Sequence, residues 1–442
     1  MTTAAADKPF SVAFLIFFVL LNVSLAYLSK QSRLVSTLYA VFVLFLGLYY
    51  LMRDKRPDRL IYLCSYVVGA EIIWRSTRAG VFYEYGKYMI ILLLAIGLLK
   101  YDLWPRAVKW PVLYFILLLP SIFLLPSFDR EAVSFWLSGP LLLMVSTMFF
   151  SALSLSLVQV KKLLIVMIAP TLGIAFLATY STFTATSLVF TTEANFTTSG
   201  GFGPVQTSLQ LAFGSLLALY YVVIEKRERR MVLLMLVIAV GLMSQSIFTF
   251  SRSGLYNSGV TFLIFFLFYL GNRRQRVRLL FSAALVILLM VLVVFPYLND
   301  FTNGVLALRY QGTNTSGRDI LVQGDWQAFL ENPWFGVGPG QSIRYHIAFG
   351  RVGSSHTEYT RLLAEHGSLG LLAMLILFGA VAKRFLARSP LAGKSFQILM
   401  TVWAILYMLD TTMRTASPGF TFGLGAALFI FDNSNLKGSN RP

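Results

Sequence analysis

Residues 279–298 read LLFSAALVILLMVLVVFPYL, a run of hydrophobic sequence without a single charged side chain. A helix needs about 20 mainly apolar residues to cross the hydrocarbon core of a bilayer. Similar runs recur along the 442 residues, of which 57% are apolar and only 13% charged. Soluble domains carry about 25% charged residues. The sequence therefore predicts an all-α polytopic membrane protein.

The apolar runs predict about 12–14 transmembrane helices and one large, partly helical periplasmic loop. Besides the run quoted above and the first one at 10–28, we place spans at 34–52, 60–74, 88–101, 110–126, 136–158, 163–180, 205–224, 231–250, 255–271, 367–386, 395–413 and 417–432. The chain then divides into N-terminal transmembrane helices (1–298), a periplasmic catalytic loop (299–366), and C-terminal transmembrane helices with a short cytoplasmic tail (367–442).

The net charge of +18 would suit nucleic-acid binding, but the distribution of the charge argues against it. Lys and Arg fall in short clusters between apolar runs, as in the cytoplasmic loops of inner-membrane proteins. We therefore expect membrane lipids rather than nucleic acid beside these clusters, and both termini in the cytoplasm. The clusters are Arg53/Lys55/Arg56/Arg59, Lys161/Lys162, Lys226/Arg227/Arg229/Arg230, Arg273/Arg274/Arg276/Arg278 and Lys383/Arg384/Arg388.

Several kinds of site are missing from the sequence. The single cysteine, Cys64, excludes an intrachain disulfide and a cysteine metal cluster. Ligand spacings that hold zinc or another divalent cation are absent. Walker and dinucleotide-binding loops are absent too. We therefore expect neither a metal nor a cofactor, and any phosphate on a substrate would be neutralised by arginines.

The polar segment 299–366 concentrates the groups that can titrate or bind anions. It contains all three histidines of the chain, His346, His356 and His366. Residues 319–330 and 355–367 have helical spacing, and the Gly-rich stretch 336–340 predicts a tight turn with an architectural role. A loop of this length is usually functional. This segment is therefore predicted to be the working face of a membrane enzyme.

Two arginines are candidates for binding a phosphate. Arg252 lies in a very short outer turn, where it either snorkels to headgroups or presents a bidentate guanidinium to an anion. Arg318 follows a glycine at a predicted helix start, which suits anion binding, although alone it reads better as a solvated loop charge. His356 begins a helix and is the candidate general base. For His346 and His366 we favour a structural role.

Three elements occur in order around the large loop: SRSG at 251–254, SGRDILVQGDWQAFLENPWFGVGPG at 316–340 and HTEYTRLLAEHGSLG at 356–370. Together they resemble the O-antigen ligase/polymerase superfamily of GT-C glycosyltransferases. His356, Gly367 and Gly370 resemble the ligase pattern His-[Asn/Ser/Gln]-x9-Gly-x-x-Gly. Thr357 at the second position departs from it, and Leu371-Leu372 replaces the Thr-Trp of some ligases.

The resemblance implies a metal-independent, inverting transfer of O-antigen glycan from undecaprenyl pyrophosphate to lipid A–core oligosaccharide. It would take place on the periplasmic side of the bacterial inner membrane. His356 would activate or orient the acceptor hydroxyl, and Arg252 and Arg318 would stabilise the leaving pyrophosphate. Further substrate contacts are expected from Arg344, Arg361, Arg351, Tyr359, Arg75, Arg78 and Arg414.

Two alternatives remain open at this point. Within the same superfamily, the chain would be an O-antigen or capsule polymerase, or a protein O-oligosaccharyltransferase. In another class, it would be a transporter, which should place ionisable residues deep in its spans and show repeated halves. Here Glu71 is nearly the only charge expected deep in a span, and the halves do not mirror each other.

Overall fold

The computed structural model describes residues 9–225, 227–268, 273–313, 315–387 and 391–431. The predicted basic residues Lys226 and Arg388 lie outside the described residues, as do both chain ends. The helices are α1 (Val12–Gln31), α2 (Arg33–Arg53), α3 (Asp58–Ser76), α4 (Tyr85–Lys100), α5 (Lys109–Ile116), α6 (Arg130–Ser151), α7 (Leu157–Phe183), α8 (Pro204–Ile224), α9 (Arg229–Phe248), α10 (Arg252–Phe268), α11 (Arg273–Leu289), α12 (Phe295–Phe301), α13 (Val305–Gln311), α14 (Arg318–Glu331), α15 (Ile343–Ala348), α16 (Glu358–Leu386), α17 (Leu391–Asp410) and α18 (Ala416–Leu424).

The predicted fold class is confirmed. Among the described residues, eight helices are long and apolar enough to cross a membrane. They are α1, α2, α6, α7, α8, α9, α16 and the continuous stretch 276–301, in which a π-helical turn joins α11 to α12. Four further helices, α3, α4, α10 and α17, lie at predicted spans. The protein is an all-α polytopic membrane protein.

Two predicted spans take a different form. The run 417–432 contains only α18, a nine-residue helix. At 1.5 Å per residue this helix rises about 14 Å, less than half of the roughly 30 Å hydrocarbon core. The run 110–126 is split into α5 and a separate 3₁₀ turn at Pro120–Leu124. Hydropathy alone did not reveal that α18 is buried inside the protein, where every one of its residues is shielded.

One end of the helical bundle carries several of the basic segments, and we call it the basic end. Lys161 Nζ donates to Glu225 Oε2 at 2.8 Å, and Arg278 donates to the backbone carbonyl of Glu225. At the same end, strands β1 (Ser154–Ser156) and β2 (Leu428–Ile430) pair in parallel, which ties the chain after α18 to the turn between α6 and α7. Three loops that are distant in sequence therefore meet here.

The opposite end, which we call the site end, gathers the first turn of α10, helices α13 to α15, the start of α16 and the segment 411–416. Arg309 of α13 is buried there, and its guanidinium donates to the carbonyls of Phe250 (2.9 Å) and Thr192 (2.8 Å). The predicted helix at 319–330 is confirmed as α14, which begins one residue earlier. The polar segment 299–366 thus packs against the bundle instead of projecting from it.

Glu71 was expected to be nearly the only charge deep in a span, and the structure buries it inside the protein. Three other charged side chains are buried beside it, namely Arg75 near the end of α3, Glu84 just before α4 and Lys87 in the first turn of α4. Arg75 pairs with Glu71 at 2.5 Å, and Lys87 pairs with Glu84. Lys87 Nζ also donates to the carbonyl of Met413 at 3.0 Å. The charges are paired, and they anchor the segment 411–416 on which part of the candidate site is built.

Candidate active site

His356 stands immediately before α16, at the site end. The next residue, Thr357, is the N-cap of this helix, and its hydroxyl accepts from the backbone N–H of Tyr359 at 3.2 Å. The imidazole is half-buried and lies beside the backbone of Asp410. Its Nδ1 is buried without a hydrogen-bond partner in the described part of the chain. Nδ1 is therefore available to accept a proton.

Cations surround this imidazole. Burial lowers the pKa of His356, and the positive charges of Arg318, Arg414 and Arg351 lower it further, to about 3. The backbone of Asp410 opposes this shift only in part. The side chain is consequently neutral across the physiological range, and a pKa so far below the working pH makes it a weak base until the charges around it are neutralised.

Arg318, the first residue of α14, connects the end of α17 to the first turn of α10. Its Nη1 donates to Asp410 Oδ1 at 2.8 Å, and its Nη2 donates to Ser253 Oγ at 3.2 Å. Gly317, just before it, has a φ of 71°, and Ser316 has a φ of 56°. The positive φ at 317 favours a glycine, and the guanidinium of Arg351 occupies the space where a Cβ would stand. The guanidinium of Arg351 therefore packs against this tight turn, next to Arg318.

Arg252 lies on the far side of Arg318. It is the first residue of α10, and its Nη1 donates to the carbonyl of Gly312 at 2.5 Å. The charges of Arg252 and Arg318 both lower the pKa of the buried Arg309, after the larger effect of burial itself. Three guanidinium groups are thus close enough to repel one another, which makes this corner of the site attractive to an anion.

Arg414 also belongs to the site. Its Nη2 donates to Ser354 Oγ at 2.7 Å and to the carbonyl of Ser355 at 3.1 Å, so that it grips the two residues before His356. Its own carbonyl accepts from Arg75 Nη1 at 2.7 Å. Burial lowers the pKa of Arg414. Of the predicted substrate-binding residues, Arg351 and Arg414 lie close enough for their charges to lower the pKa of His356, as the charge of Arg318 does.

The remaining predicted contacts lie elsewhere. Arg361 is fully buried between Glu358 (2.5 Å) and Glu365 (2.6 Å), so its charge is already compensated. The Tyr359 hydroxyl donates to the carbonyl of Ile405 at 2.8 Å, away from the loop. Arg344 is exposed on α15 and lines an outer cavity of about 540 Å³. Arg75 and Arg78 line a different cavity, beside Tyr83.

Residues 246–375 match the family model described as O-antigen ligase. The matched segment runs from the end of α9 to the middle of α16, and so contains Arg252, Arg318 and His356. This segment belongs to the O-antigen ligase/polymerase superfamily. A search among curated proteins found no match to the chain.

Two glycines of the matched segment lie where the Gly-rich turn 336–340 packs closely against the backbone of α16. Gly367 interrupts α16 with φ 60° and ψ −136°, a conformation that is essentially restricted to glycine. The break frees the carbonyls of Ala364 and Glu365, which accept from the N–H groups of Val337 (2.9 Å) and Gly338 (3.0 Å). A Cβ on Gly336 would overlap the backbone at Glu365 and His366. The predicted architectural role of the Gly-rich turn is thereby explained, because it docks into the broken helix.

Gly367→Ala should therefore prevent the folded protein from accumulating. A Cβ at this position would stand 2.6 Å from Gly336 N and 2.7 Å from Pro333 O, in addition to the backbone strain. We expect a loss of about 3 kcal/mol or more in the free energy of unfolding, from strain plus overpacking. Gly379→Ala in the same helix is the matched control, because a Cβ there meets nothing within 4 Å. Equal thermal midpoints of the two purified variants would refute this explanation of the glycine.

Sequence reasoning gave His346 a structural role, and the structure shows what that role involves. His346 is fully buried, with Nδ1 2.6 Å from the carbonyl of Gly353 and Nε2 2.8 Å from Asp325 Oδ1. Both neighbours are acceptors, so both ring nitrogens carry protons when Asp325 is ionised. Asp325 also accepts from Ser355 Oγ at 2.7 Å and from Thr360 Oγ1 at 2.6 Å. The pair supports the chain on both sides of His356.

Because of this ion pair, the free energy of unfolding should decrease as the pH rises above neutrality. Burial lowers the pKa of His346, but the hydrogen bond and the charge of Asp325 outweigh it, with smaller contributions from Gly353 and Glu365, and the net pKa is raised above 6.5. The stabilisation is thus complete below pH 6.5 and is lost as the pH rises through the folded-state pKa. Thermal midpoints between pH 6 and pH 9 should fall more steeply for the wild type than for His346→Gln. Parallel curves would show that His346 is not charged.

Proposed function

We propose that this protein transfers O-antigen glycan from undecaprenyl pyrophosphate to a sugar of lipid A–core oligosaccharide. The observation that supports the proposal best is the arrangement around His356. A neutral imidazole with an unpartnered Nδ1 stands beside Arg318, Arg351 and Arg414, inside a segment of the O-antigen ligase/polymerase superfamily. A proton acceptor and a cluster of cations are what a transfer from a lipid diphosphate requires.

The proposed reaction is a single displacement at the anomeric carbon. The acceptor hydroxyl attacks from the face opposite the diphosphate, the bond between the sugar and the diphosphate oxygen breaks, and the configuration inverts. The hydroxyl proton passes to Nδ1 of His356, or His356 orients the hydroxyl while the proton passes to water. The lipid diphosphate is already a good leaving group, so the main demand is to stabilise its charge as it departs.

The arginines around Arg318 meet this demand. Guanidinium groups bind phosphate oxygens in a bidentate manner and stay charged when they are partly buried. Arg318 is held by Asp410 (2.8 Å), which balances its charge. We propose that the diphosphate competes with Asp410 for Arg318 and also engages Arg252, which lies on the neighbouring turn. Asp410 was not found from the sequence, because it ends an apolar run and belongs to no motif.

The proposed orientation places the site end in the periplasm and the basic end in the cytoplasm. The basic segments joined through Glu225 at one end of the bundle support it, because cytoplasmic loops are enriched in Lys and Arg. A lipid-linked donor in the outer leaflet would then present its diphosphate at the level of Arg252 and Arg318. The location in the bacterial inner membrane and the cytoplasmic termini belong to the same proposal.

The low pKa of His356 gives the proposal a pH signature. An ordinary histidine would make the rate fall below about pH 6.5, but burial, followed by the charges of the surrounding arginines, lowers the pKa of His356 to about 3. Bound diphosphate neutralises those cations, so the pKa should rise in the complex. Since kcat/KM reports the free enzyme and kcat the complex, the acid limb of kcat should lie at higher pH than that of kcat/KM. If the acid limbs of kcat and kcat/KM both lay at pH 6.5, the proposed surroundings of His356 would be contradicted.

Reconstitution of the purified protein in liposomes tests the function itself. The vesicles contain undecaprenyl-pyrophosphate glycan and either lipid A–core or no further acceptor, and the products are separated by gel electrophoresis and mass spectrometry. Glycan-capped lipid A–core in the first case, formed equally well in EDTA, is the expected result. Longer lipid-linked glycan in both cases would instead identify a polymerase. Movement of intact donor across the bilayer, without transfer, would identify a transporter.

A further inference from the structure

A second cavity at the site end has no assigned role. It encloses about 270 Å³ between the outer end of α3 and the turn before α4. Four of its lining residues are aromatic, namely Trp74, Phe82, Tyr83 and Tyr85. Phe82 is 57% exposed although it stands edge-on to the ring of Tyr85, with centroids 5.6 Å apart. The cavity thus has apolar aromatic walls that remain open to a ligand.

The polar groups around this cavity are balanced in charge. Glu71 pairs with Arg75 at 2.5 Å, and Glu84, 3.7 Å from Arg75, pairs with Lys87. The guanidinium of Arg75 lies over the ring of Tyr83, 4.1 Å from its centroid. Two carboxylates thus compensate two cations, and only the exposed Arg78 adds a positive charge. Such a cavity favours an uncharged hydrogen-bonding ligand over a phosphate.

Two residues that line the cavity carry a buried donor without a hydrogen-bond partner among the described residues. The donors are Trp74 Nε1 and Arg75 Nε. Trp74 is 2% exposed, and the Arg75 side chain is 5% exposed. Buried polar groups in folded proteins are almost always satisfied by protein or water, so two unpartnered donors beside one cavity need an explanation. A ligand that accepts hydrogen bonds would provide one.

We infer that this cavity binds one uncharged sugar unit of a glycan. The hydroxyl groups of a sugar accept hydrogen bonds, which suits the two unpartnered donors of the lining residues. The apolar faces of a pyranose ring pack well on aromatic side chains. The volume is below the roughly 300–1,000 Å³ of sites for drug-sized ligands, which suits a single ring.

Two hydrogen bonds join the wall of this cavity to the proposed transfer site. Arg75 donates to the carbonyl of Arg414 at 2.7 Å, and Arg414 in turn donates to the carbonyl of Ser355, next to His356. A sugar bound beside Arg75 would therefore extend from the reacting end of a longer glycan. This part of the inference rests on the proposed function, and the sugar would come from either the donor glycan or the core oligosaccharide.

Direct binding tests the cavity without relying on transfer. Saturation-transfer NMR on the full-length protein in detergent is performed with two free saccharides, the lipid-free glycan unit and the lipid-free core oligosaccharide. At least one should bind to the wild type and to Phe128→Ala, a matched control with a 73% exposed phenylalanine outside the cavity. Phe82→Ala should bind it about three- to tenfold more weakly, because an aromatic contact is lost. Equal binding by both variants, or binding of neither saccharide to the wild type, would overturn the inference.

Trp74→Phe gives a second, sharper test. This change keeps most of the ring but removes Nε1. If Nε1 bonds a sugar hydroxyl, saccharide binding should weaken about two- to tenfold while the thermal midpoint stays the same or rises, since a buried unsatisfied donor has been removed. Unchanged binding would show that Nε1 has no ligand partner, and would overturn the inference.

Transfer kinetics then identify the source of the sugar. Phe82→Ala should raise KM for the substrate whose sugar occupies the cavity and leave kcat unchanged, which is the sign of lost ground-state binding. An unchanged KM for both substrates would contradict the inference. Wild-type protein that binds a saccharide but transfers nothing would refute the proposed function and leave the sugar site standing.

Discussion

His356→Ala is expected to abolish glycan transfer while the protein still inserts and folds. The imidazole is half-buried at the start of α16 and contributes little to the core, so its loss should not destabilise the bundle. A general base typically accelerates a reaction by about 10²–10⁴-fold. We therefore expect initial rates, measured in the reconstituted assay, to fall by at least about a hundredfold.

His356→Gln separates proton transfer from orientation. Glutamine can hydrogen-bond to the acceptor hydroxyl and to the backbone of Asp410, but it cannot take up a proton near neutral pH. If His356 is a base, this variant should be as inactive as His356→Ala. Substantial activity in His356→Gln would assign His356 an orienting role only. Near-normal activity in His356→Ala would refute the site altogether.

Arg318→Lys and Arg252→Lys are expected to produce the second large loss. Lysine keeps the positive charge, but one ammonium group cannot reproduce the bidentate contact of a guanidinium with phosphate. Arg318→Lys must also give up either Asp410 or Ser253, which the arginine contacts with separate nitrogens. Losing one donor to a developing charge costs about 10²–10³ in kcat. Each variant should therefore retain at most about one percent of the wild-type kcat.

Arg229→Lys is the matched control for these two variants. Arg229 is an exposed arginine at the first turn of α9, on the basic end of the bundle. The same substitution there should leave kcat within experimental error of the wild type. A similar loss in all three variants would show that the effect comes from insertion or folding, and would remove the support for a phosphate site at Arg252 and Arg318.

The class of the fold could be predicted from composition, because long uncharged runs have few alternatives to spanning a bilayer. The secondary structure of the shorter apolar runs could not be predicted in the same way. Residues 417–432 are apolar because α18 is enclosed by protein, whereas hydropathy reads every apolar run as lipid-facing. Residues 110–126 contain Pro120, which begins a separate 3₁₀ turn. The proline was the feature of the sequence that indicated this break, because proline disrupts the interior of a helix.

The candidate site could be predicted in part. His356 and Arg318 stood out because each lies in a recognisable motif of the polar loop. Arg414 could not be ranked, and Asp410 was not considered, since only the tertiary fold brings the end of α17 to residues 354–356. The pair His346–Asp325 is likewise formed across 21 positions and two helices.

Arg361 is the residue on which closer reading of the sequence would have helped. Glu358 and Glu365 stand three residues before it and four residues after it on one helix, so all three side chains share a face. Such spacing predicts an arginine whose charge is already compensated, and the structure confirms both ion pairs at 2.5 and 2.6 Å. An unpaired arginine in a helix is therefore a better candidate for a substrate contact than one flanked by acids.

The central claim is that His356 and the arginines around Arg318 share one site for a lipid diphosphate. A cryo-electron microscopy structure of the protein in a nanodisc with undecaprenyl diphosphate bound tests it most directly. We predict that the diphosphate lies within hydrogen-bonding distance of the Arg318 and Arg252 guanidinium groups, with His356 facing the adjacent space where the sugar would be. A diphosphate bound at the basic end, or away from Arg318 and His356, would contradict the account.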